Sequence, residues 1–339
     1  MPALLATLAW LAVVVAGIGA MHWGASRAAD LLGALRGRYG LPATASGALM
    51  GLATAAPETA VNVASVGFGW ADLGLGAAIG SNVPALPLAF LLAYLATRFA
   101  PGGTAPAEPA PGGDAASPAP VVVPQVAQVQ VWPYLGVVLL LGLLTLPPAW
   151  SGLSPLDGLV LVLAWAAFLA YALLRTPWRE RGEPLPGGAM SRAGLGLPVV
   201  ALGAVASVYA AQRVGQAWGW SDLAVGLWVI GLLCALPESF SAWRFAREGT
   251  PSLAVSSAAS DGIVSLTVAL VPPALVGAAV GNVPVYVANL GFLVLVLGLY
   301  AALNHRFAGQ RMGLRFVLLF TGAYAGYAAL TAWLLIRGA

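Results

Sequence analysis

Apolar residues fill this chain in ten long runs, and this pattern limits its fold more than any other feature. Each run is close to the roughly 20 residues that a helix needs to cross the hydrocarbon core of a bilayer. The composition agrees, because 60% of the residues are hydrophobic and only 8% are charged, whereas soluble domains carry about 25% charged residues. We therefore predict an all-α membrane protein with ten transmembrane helices, at residues 3–21, 41–66, 72–98, 131–149, 155–174, 194–214, 221–246, 251–276, 283–303 and 314–336.

The arginines test this count of helices, since basic residues concentrate in loops on the inner side of a membrane. With the N-terminus placed outside, all but two of the 15 basic residues fall on the inner side, the exceptions being Arg213 and Arg337. Residues 3–20 lack the preceding positive charge of a signal peptide, so we interpret them as part of the first spanning helix. We expect a multi-pass protein of the cell inner (plasma) membrane with both termini outside.

Two polar stretches divide the chain into segments. Residues 101–130 are rich in Pro, Ala and Gly and are predicted to form a disordered cytoplasmic linker. Residues 175–193 form a second, arginine-containing cytoplasmic linker at the middle of the chain. The first half then consists of residues 1–100 with helices 1–3 and residues 131–174 with helices 4–5, and the second half consists of residues 194–339 with helices 6–10.

The two halves share an internal repeat centred on a Pro-Glu pair. Residues 51–90 align with residues 231–270, and this alignment places Glu58 on Glu238, each directly after a proline. The copies lie in the second and seventh helices, so they cross the membrane in opposite directions. Inverted repeats of this kind place transporter sites near the membrane midplane, where interrupted helices of the two halves meet. We therefore predict two inverted five-helix repeats.

Three of the 12 acidic residues lie inside apolar runs: Glu58, Glu238 and Asp261. A carboxylate at the bilayer centre costs at least about 2.5–3.5 kcal/mol. No Arg lies near these three in the apolar runs and the chain has no Lys, so bound cations or protons must neutralise them. The alternative is that each acid is protonated and only hydrogen-bonds between helices, which explains one isolated acid better than two at symmetric places. Carboxylate, hydroxyl and carbonyl oxygens together suit Ca²⁺ or Na⁺.

One cysteine and two histidines restrict other chemistries. Cys234 alone cannot form an intramolecular disulfide or a multi-cysteine metal cluster, and His22 and His305 are too far apart for a zinc-protease motif. The arginines form no basic stripe, so nucleic acid is not an expected partner. An intramembrane enzyme and a structural or lipid-binding protein are weaker alternatives, since neither explains the paired acids. No resident cofactor is predicted. The sequence leaves the oligomeric state open and is compatible with a monomer.

The motif residues resemble the sodium/calcium exchanger (cation/calcium antiporter) superfamily. Each half of such proteins carries an alpha repeat, G-T-S-x-P-E, followed by G-N-x-x-G-S-N in the next, broken helix. Here the first repeat reads Ala-Thr-Ala-Ala-Pro-Glu over residues 53–58 and Gly-Ala-Ala-Ile-Gly-Ser-Asn over residues 76–82. The resemblance implies ten helices in two inverted halves and secondary antiport of Ca²⁺ against Na⁺ or H⁺. Transport of another cation on the same fold is the alternative.

The resemblance also implies a set of ion-site residues. Glu58 and Glu238 would bind the divalent cation from opposite helices, and Thr54 and Cys234 would add backbone carbonyl oxygens. The remaining predicted residues lie near the rim of the site: Ser81, Asp261, Ser257 and Ser265.

The departures from the family pattern concern the ions more than the fold. Ala55 stands where a serine usually helps to hold sodium, and the Thr-Ser pair of the second repeat has become Cys234 and Ala235. Many prokaryotic members carry an aspartate at the position of Ser265, whereas here the acid is Asp261, one helical turn earlier. Because positions i and i+4 share a helical face, we expect Asp261 to point into the same cavity. The coupling ion, Na⁺ or H⁺, stays open.

Overall fold

A computed structural model describes residues 2–39, 51–99, 130–147, 151–174, 188–247, 252–306 and 313–338. The helices of the first half are α1 (Pro2–Tyr39), α2 (Ala56–Gly67), α3 (Ala71–Arg98), α4 (Trp132–Thr145) and α5 (Pro155–Leu174). Those of the second half are α6 (Ala189–Trp218), α7 (Asp222–Arg247), α8 (Ser252–Ser265, continuing as Val268–Leu270 and Val271–Leu275), α9 (Val283–Arg306) and α10 (Leu314–Gly338).

These helices confirm the predicted all-α membrane fold. Within the described ranges, eight helices are long and apolar enough to cross a bilayer, and α4 is a shorter apolar helix. Large apolar side chains such as Leu156, Leu174 and Ile336 are exposed on the outside of the bundle. Such a surface is suited to lipid rather than to water.

Two helices extend further than the apolar runs predict. α1 continues to Tyr39, so Arg27 lies on the helix instead of in a loop. α6 begins at Ala189, inside the predicted central linker, of which residues 175–187 lie outside the described residues. A helix that leaves the hydrocarbon core can continue into water, and hydropathy alone does not detect this continuation. The predicted linker at 101–130 lies outside the described residues except for its last position.

α1 and α6, the first helices of the two halves, cross in antiparallel directions. A Cβ atom on Gly17 would lie 2.8 Å from the Gly203 carbonyl oxygen, and one on Gly24 would lie 2.5 Å from the Gly196 carbonyl oxygen. Gly17 therefore faces Gly203, while the later residue Gly24 faces the earlier residue Gly196. Glycines allow the two backbones to pack in direct contact, as small residues do between membrane helices. This reversed pairing is the geometry that an inverted repeat requires.

α3 and α7 join the two halves through a second glycine contact. A Cβ on Gly80 would lie 2.5 Å from the Leu227 carbonyl oxygen, and one on Gly231 would lie 2.7 Å from the Gly80 carbonyl carbon. Gly51, which aligns with Gly231 in the repeat, makes the corresponding contact in the other half, where a Cβ would lie 3.0 Å from the Ser260 carbonyl oxygen. The aligned repeats thus use the same packing on both sides.

The buried apolar side chains form two main clusters. One packs α1, α2 and α6 together and includes Val14, Met21 and Val208. The other packs α4, α5, α9 and α10 and includes Phe90, whose ring lies 5.4 Å from that of Tyr300. Because α3 and α7 contribute side chains to both clusters, they lie between them. The acidic residues of the apolar runs meet beside this central pair of helices.

Candidate functional site

The chain interrupts its helix directly before the first Pro-Glu pair. Residues 51–54 are helical, Ala55 forms a turn, and α2 begins again at Ala56 with Pro57 in its first turn. Because proline has no N–H group, Pro57 cannot donate a hydrogen bond to the carbonyl of Ala53, four residues earlier. That carbonyl is left without its helical donor beside a cavity that Ala53 lines.

The second Pro-Glu pair lies inside α7, after a different irregularity. Pro237 falls within the α-helical part of α7, Leu232–Arg247, and a π-helical segment, Gly226–Gly231, precedes it. Pro237 removes the donor of the Leu233 carbonyl, and Leu233 aligns with Ala53 in the repeat. π-Helical segments are rare and occur frequently at functional sites. Both halves thus present a helix carbonyl that lacks its i+4 backbone donor shortly before the acid.

Glu58, Glu238 and Asp261 meet in one cluster, in which a carboxylate oxygen from each lies within 4.8 Å of the others. Glu58 and Asp261 are only 2% exposed, and Glu238 is partly buried. Among the described residues, each of the three keeps one buried oxygen without a hydrogen-bond partner: Glu58 Oε2, Glu238 Oε1 and Asp261 Oδ1. Buried charge without a partner costs several kcal/mol or more. A bound cation or added protons must therefore balance the cluster.

Hydroxyl groups surround the three acids. The Ser265 hydroxyl donates to Asp261 Oδ2 over 3.3 Å, and Thr54 lies within hydrogen-bonding reach of the same carboxylate. The Ser81 hydroxyl lies within reach of the Glu58 carboxylate and also contacts a carbonyl oxygen of its own helix. The donors thus come from the helical segment directly before α2, from α3 and from α8, and they form an oxygen-rich shell of the kind that hard cations prefer.

A cavity of about 60 Å³ leads to Glu58 and Glu238 between α1, α2, α7 and α8. Since roughly 10–15 Å³ measured in this way holds one water, the cavity has room for a partly hydrated cation. Besides the two acids, its lining includes six other side chains with a polar or sulfur atom: His22, Ser26, Thr54, Cys234, Ser241 and Ser257.

The structure brings every predicted site residue to this cluster or to its cavity. Asp261 faces the two glutamates, as the one-turn shift from Ser265 predicts. Cys234 is buried in the cavity wall, close enough to all three acids for electrostatic interaction. Ala55 and Ala235 are completely buried and bring no side-chain oxygen to the site.

Sequence reasoning missed one helix of the site. Tyr134 on α4 and Gln130, two residues before α4, reach the helices around Asp261. Gln130 bonds to Ser260 on α8, and Tyr134 bonds to Asn82 on α3. Neither residue belongs to a repeat. The polar positions of Gln130 and Tyr134, one turn apart at the start of an apolar run, were the only available signal.

The sequence comparison agrees with this architecture. The family model described as sodium/calcium exchanger protein matches residues 9–174 and 192–333, which include both repeats. The chain therefore belongs to the sodium/calcium exchanger family of membrane cation transporters. Among curated proteins, no sequence matches the chain significantly.

Solved structures of an archaeal sodium-calcium exchanger, NCX_Mj, share the fold over nearly the whole chain. The form soaked with 2.5 mM Na⁺ and 10 mM Sr²⁺ superimposes with a TM-score of 0.60 at 19% identity, covering 96% of this chain and 98% of that chain. The form soaked with 10 mM Na⁺ and zero Ca²⁺ gives a TM-score of 0.61 at 16% identity, with the same coverage. At such identities the likeness establishes the fold alone.

Proposed function

We propose that this family member is a secondary antiporter that exchanges Ca²⁺ for Na⁺ or H⁺ at the carboxylate cluster. The observation that carries the proposal is the meeting of Glu58, Glu238 and Asp261, each with one buried oxygen that has no partner. Three converging carboxylates attract a divalent cation more strongly than a monovalent one, because the Coulomb energy grows with the cation charge.

Oxygen ligands from both repeats complete the proposed site. Ca²⁺ takes 6–8 oxygens at about 2.3–2.6 Å, more than the three acids supply as single donors. The carbonyls of Thr54 and Cys234 supply further oxygens, since both residues line the cavity beside the proline breaks. Ser81 and Ser265, each beside one of the acids, lie at the rim of the site.

Alternating access follows from the way α1 and α6 pack. α1 lines the cavity that leads to the acids, and its glycines pack directly against the α6 backbone, so that the two helices can move as one unit. We propose that α1 and α6 slide as a pair past the other eight helices and expose the site to each side in turn. The bound cation and the coupling ion compete for the same carboxylates, so that one displaces the other.

The coupling ion depends on the oxygen ligands that the two repeats have kept or lost. Ala55 and Ala235 remove two hydroxyls that serve sodium in the family pattern. Their loss favours coupling either to fewer sodium ions or to protons instead of sodium. A contact between Glu238 and Asp261 within hydrogen-bonding reach also supports a proton, because two carboxyl groups hydrogen-bond only when one is protonated. A same-fold transporter for another cation is the second candidate, since the ligand set differs between the halves.

The proposed placement is in the cell inner (plasma) membrane with both termini outside. It rests on the arginines, which then concentrate on the inner side. In this orientation the segments at 101–130 and 175–193 connect the helices on the cytoplasmic side. No contact in the described residues calls for a second copy of the chain, so a monomer suffices for the proposed mechanism.

Radioactive Ca²⁺ uptake into proteoliposomes tests the proposal, with a Na⁺ or a pH gradient supplied in turn as the only driving force. We expect uptake with at least one gradient and its loss in Glu58→Gln and Glu238→Gln. Asp157→Asn, which changes an acid at the start of α5, is the matched control and should transport normally. Wild-type rates in either glutamine variant would contradict the site, and transport of a different cation alone would favour the second candidate.

A further inference from the structure

We propose that Gln130 and Tyr134 position Asp261 by holding α8 on both sides of it, and thereby set the affinity of the site for its cation. The inference rests on the proposed function, because it assigns Asp261 to the cation site. It adds α4 to a site whose motifs lie on α2, α3, α7 and α8.

The first contact depends on a glycine. Gly262 follows Asp261 directly, and a Cβ atom at this position would overlap the Tyr134 ring and lie 2.6 Å from Asn82 Oδ1. Any other residue would therefore push Tyr134 out of its place. In the repeat alignment Gly262 corresponds to Asn82. Because the second repeat has a glycine at this position instead of an asparagine, it leaves space, and the Tyr134 ring occupies that space.

The Tyr134 hydroxyl is fixed by a short chain of hydrogen bonds. It donates to Asn82 Oδ1 over 2.7 Å, and Asn82 Nδ2 donates to the Ala78 carbonyl over 2.6 Å. Tyr134 and Asn82 are both almost completely buried. The hydroxyl thus ties α4 to α3 while the ring presses against the Gly262 backbone of α8.

The second contact lies on the other side of Asp261. Gln130 Nε2 donates to the Ser260 hydroxyl over 3.0 Å, and both residues are buried. Gln130 precedes Tyr134 by one helical turn, and such spacing places both side chains on the same helical face. The two neighbours of Asp261, Ser260 and Gly262, are therefore both held by one helical face, which is formed by Tyr134 of α4 and by Gln130 just before the start of α4.

This support matters because the regular α-helical geometry of α8 ends one turn after the acid. Its α-helix ends at Ser265, and Thr267 has an irregular backbone. When they are ionised and no cation is bound, the carboxylates of Glu58, Glu238 and Asp261 also repel one another, since their oxygens lie within 4.8 Å of one another. Without the α4 contacts, repulsion would move Asp261 away from the glutamates. Tyr134 donates to Asn82 and not to a carboxylate, so it is a positioning residue and not an ion ligand.

Tyr134→Phe tests the inference because it removes the hydroxyl and keeps the ring over Gly262. We expect the dissociation constant of Ca²⁺, measured by titration of purified protein, to rise about fivefold, the effect of one lost buried hydrogen bond. In proteoliposomes the apparent KM should rise in parallel, with the maximal rate nearly unchanged. Gln130→Leu, which breaks the other contact, should act in the same direction and replaces Tyr134→Phe if that variant does not fold.

Tyr286→Phe is the matched control. Tyr286 is equally buried, and its hydroxyl lies 3.0 Å from that of Thr145 at the opposite end of α4. It should leave Ca²⁺ affinity unchanged, even if it lowers the melting temperature. In an Asp261→Asn background, Tyr134→Phe should lose most of its effect on cation-dependent thermal stabilisation, because contacts that act through one residue are not additive.

Two results would overturn the inference. One is equal Ca²⁺ affinities for Tyr134→Phe and Tyr286→Phe; the other is a Tyr134→Phe effect on cation-dependent thermal stabilisation that is as large in the Asp261→Asn background as in the wild type. The proposed function fails separately, if the wild-type protein neither binds nor transports Ca²⁺. In that case the same titrations with Na⁺, Mn²⁺ and H⁺ decide whether α4 positions Asp261 for another cation.

Discussion

Ser265 donates a hydrogen bond to Asp261 over 3.3 Å, across one turn of α8. The two side chains lie on one helical face, and both are buried at the carboxylate cluster. The family pattern has its acid at the position of Ser265 in many prokaryotic members. The contact supports the proposal that the acid can stand one turn earlier and still belong to the same site.

Exchanging the two side chains tests this equivalence. We expect Asp261→Asn to weaken Ca²⁺ binding at least about tenfold, a cost of about 1.4 kcal/mol, because the site loses a charged ligand. The double variant Asp261→Ser/Ser265→Asp should recover most of the affinity. Cation-dependent thermal stabilisation of the purified protein measures both effects. A double variant as weak as Asp261→Asn would show that the two positions are not equivalent.

Restoring the lost hydroxyls should strengthen the response to sodium. In Ala55→Ser/Ala235→Ser, an unpartnered buried hydroxyl lowers stability by about 1–3 kcal/mol per site. Na⁺ that binds the new oxygens recovers this stability by linkage. The melting temperature should therefore rise more with Na⁺ in the variant than in the wild type, with choline at equal ionic strength as the control. Equal Na⁺ responses would argue against a sodium position at these alanines.

The glycine crossing of α1 and α6 should be sensitive to a single methyl group. In Gly24→Ala the new Cβ would lie 2.5 Å from the Gly196 carbonyl oxygen, so the helices must separate at a cost of about 1–3 kcal/mol. Gly19→Ala is the matched control on the same helix, since its Cβ would have no neighbour within 4 Å. We expect a lower melting temperature and slower transport for Gly24→Ala only. Similar melting temperatures for both would contradict the close crossing.

Cys234 offers a direct probe of the cavity, because it is the only cysteine of the chain and lines the route to Glu58 and Glu238. A small mercurial should bind this thiol and inhibit transport, and Ca²⁺ should slow the reaction by occupying the adjacent site. The Cys234→Ala variant controls for reaction elsewhere and should be insensitive. Identical labelling rates with and without Ca²⁺ would show that the cation does not bind beside Cys234.

The Pro-Glu pairs and the third acid could be predicted because their signals are local. A charged residue in an apolar run and a proline inside a spanning helix both stand out without knowledge of the fold. The repeat then predicted that Glu58 and Glu238 meet from opposite directions. The π-helical segment of α7 could not be predicted in this way, since it depends on how Gly226 and Gly231 pack against α3.

The part played by α4 also required the structure. Tyr134 reaches α8 only because Gly262 leaves room for its ring, and this space depends on the relative positions of two helices from different halves. A tyrosine at the start of an apolar run is equally typical of the membrane interface, and a glutamine one turn earlier adds no stronger signal. The sequence therefore does not distinguish Gln130 and Tyr134 from interfacial residues.

Direct binding of Ca²⁺ to the purified protein tests the central claim most simply. We predict saturable binding to the wild type, with loss of that binding in both Glu58→Gln and Glu238→Gln and with normal binding in Asp157→Asn. All four proteins should elute as folded species of the same size, so that a loss of binding reports on the site. Unchanged Ca²⁺ binding in the two glutamine variants would contradict a cation site at the paired glutamates.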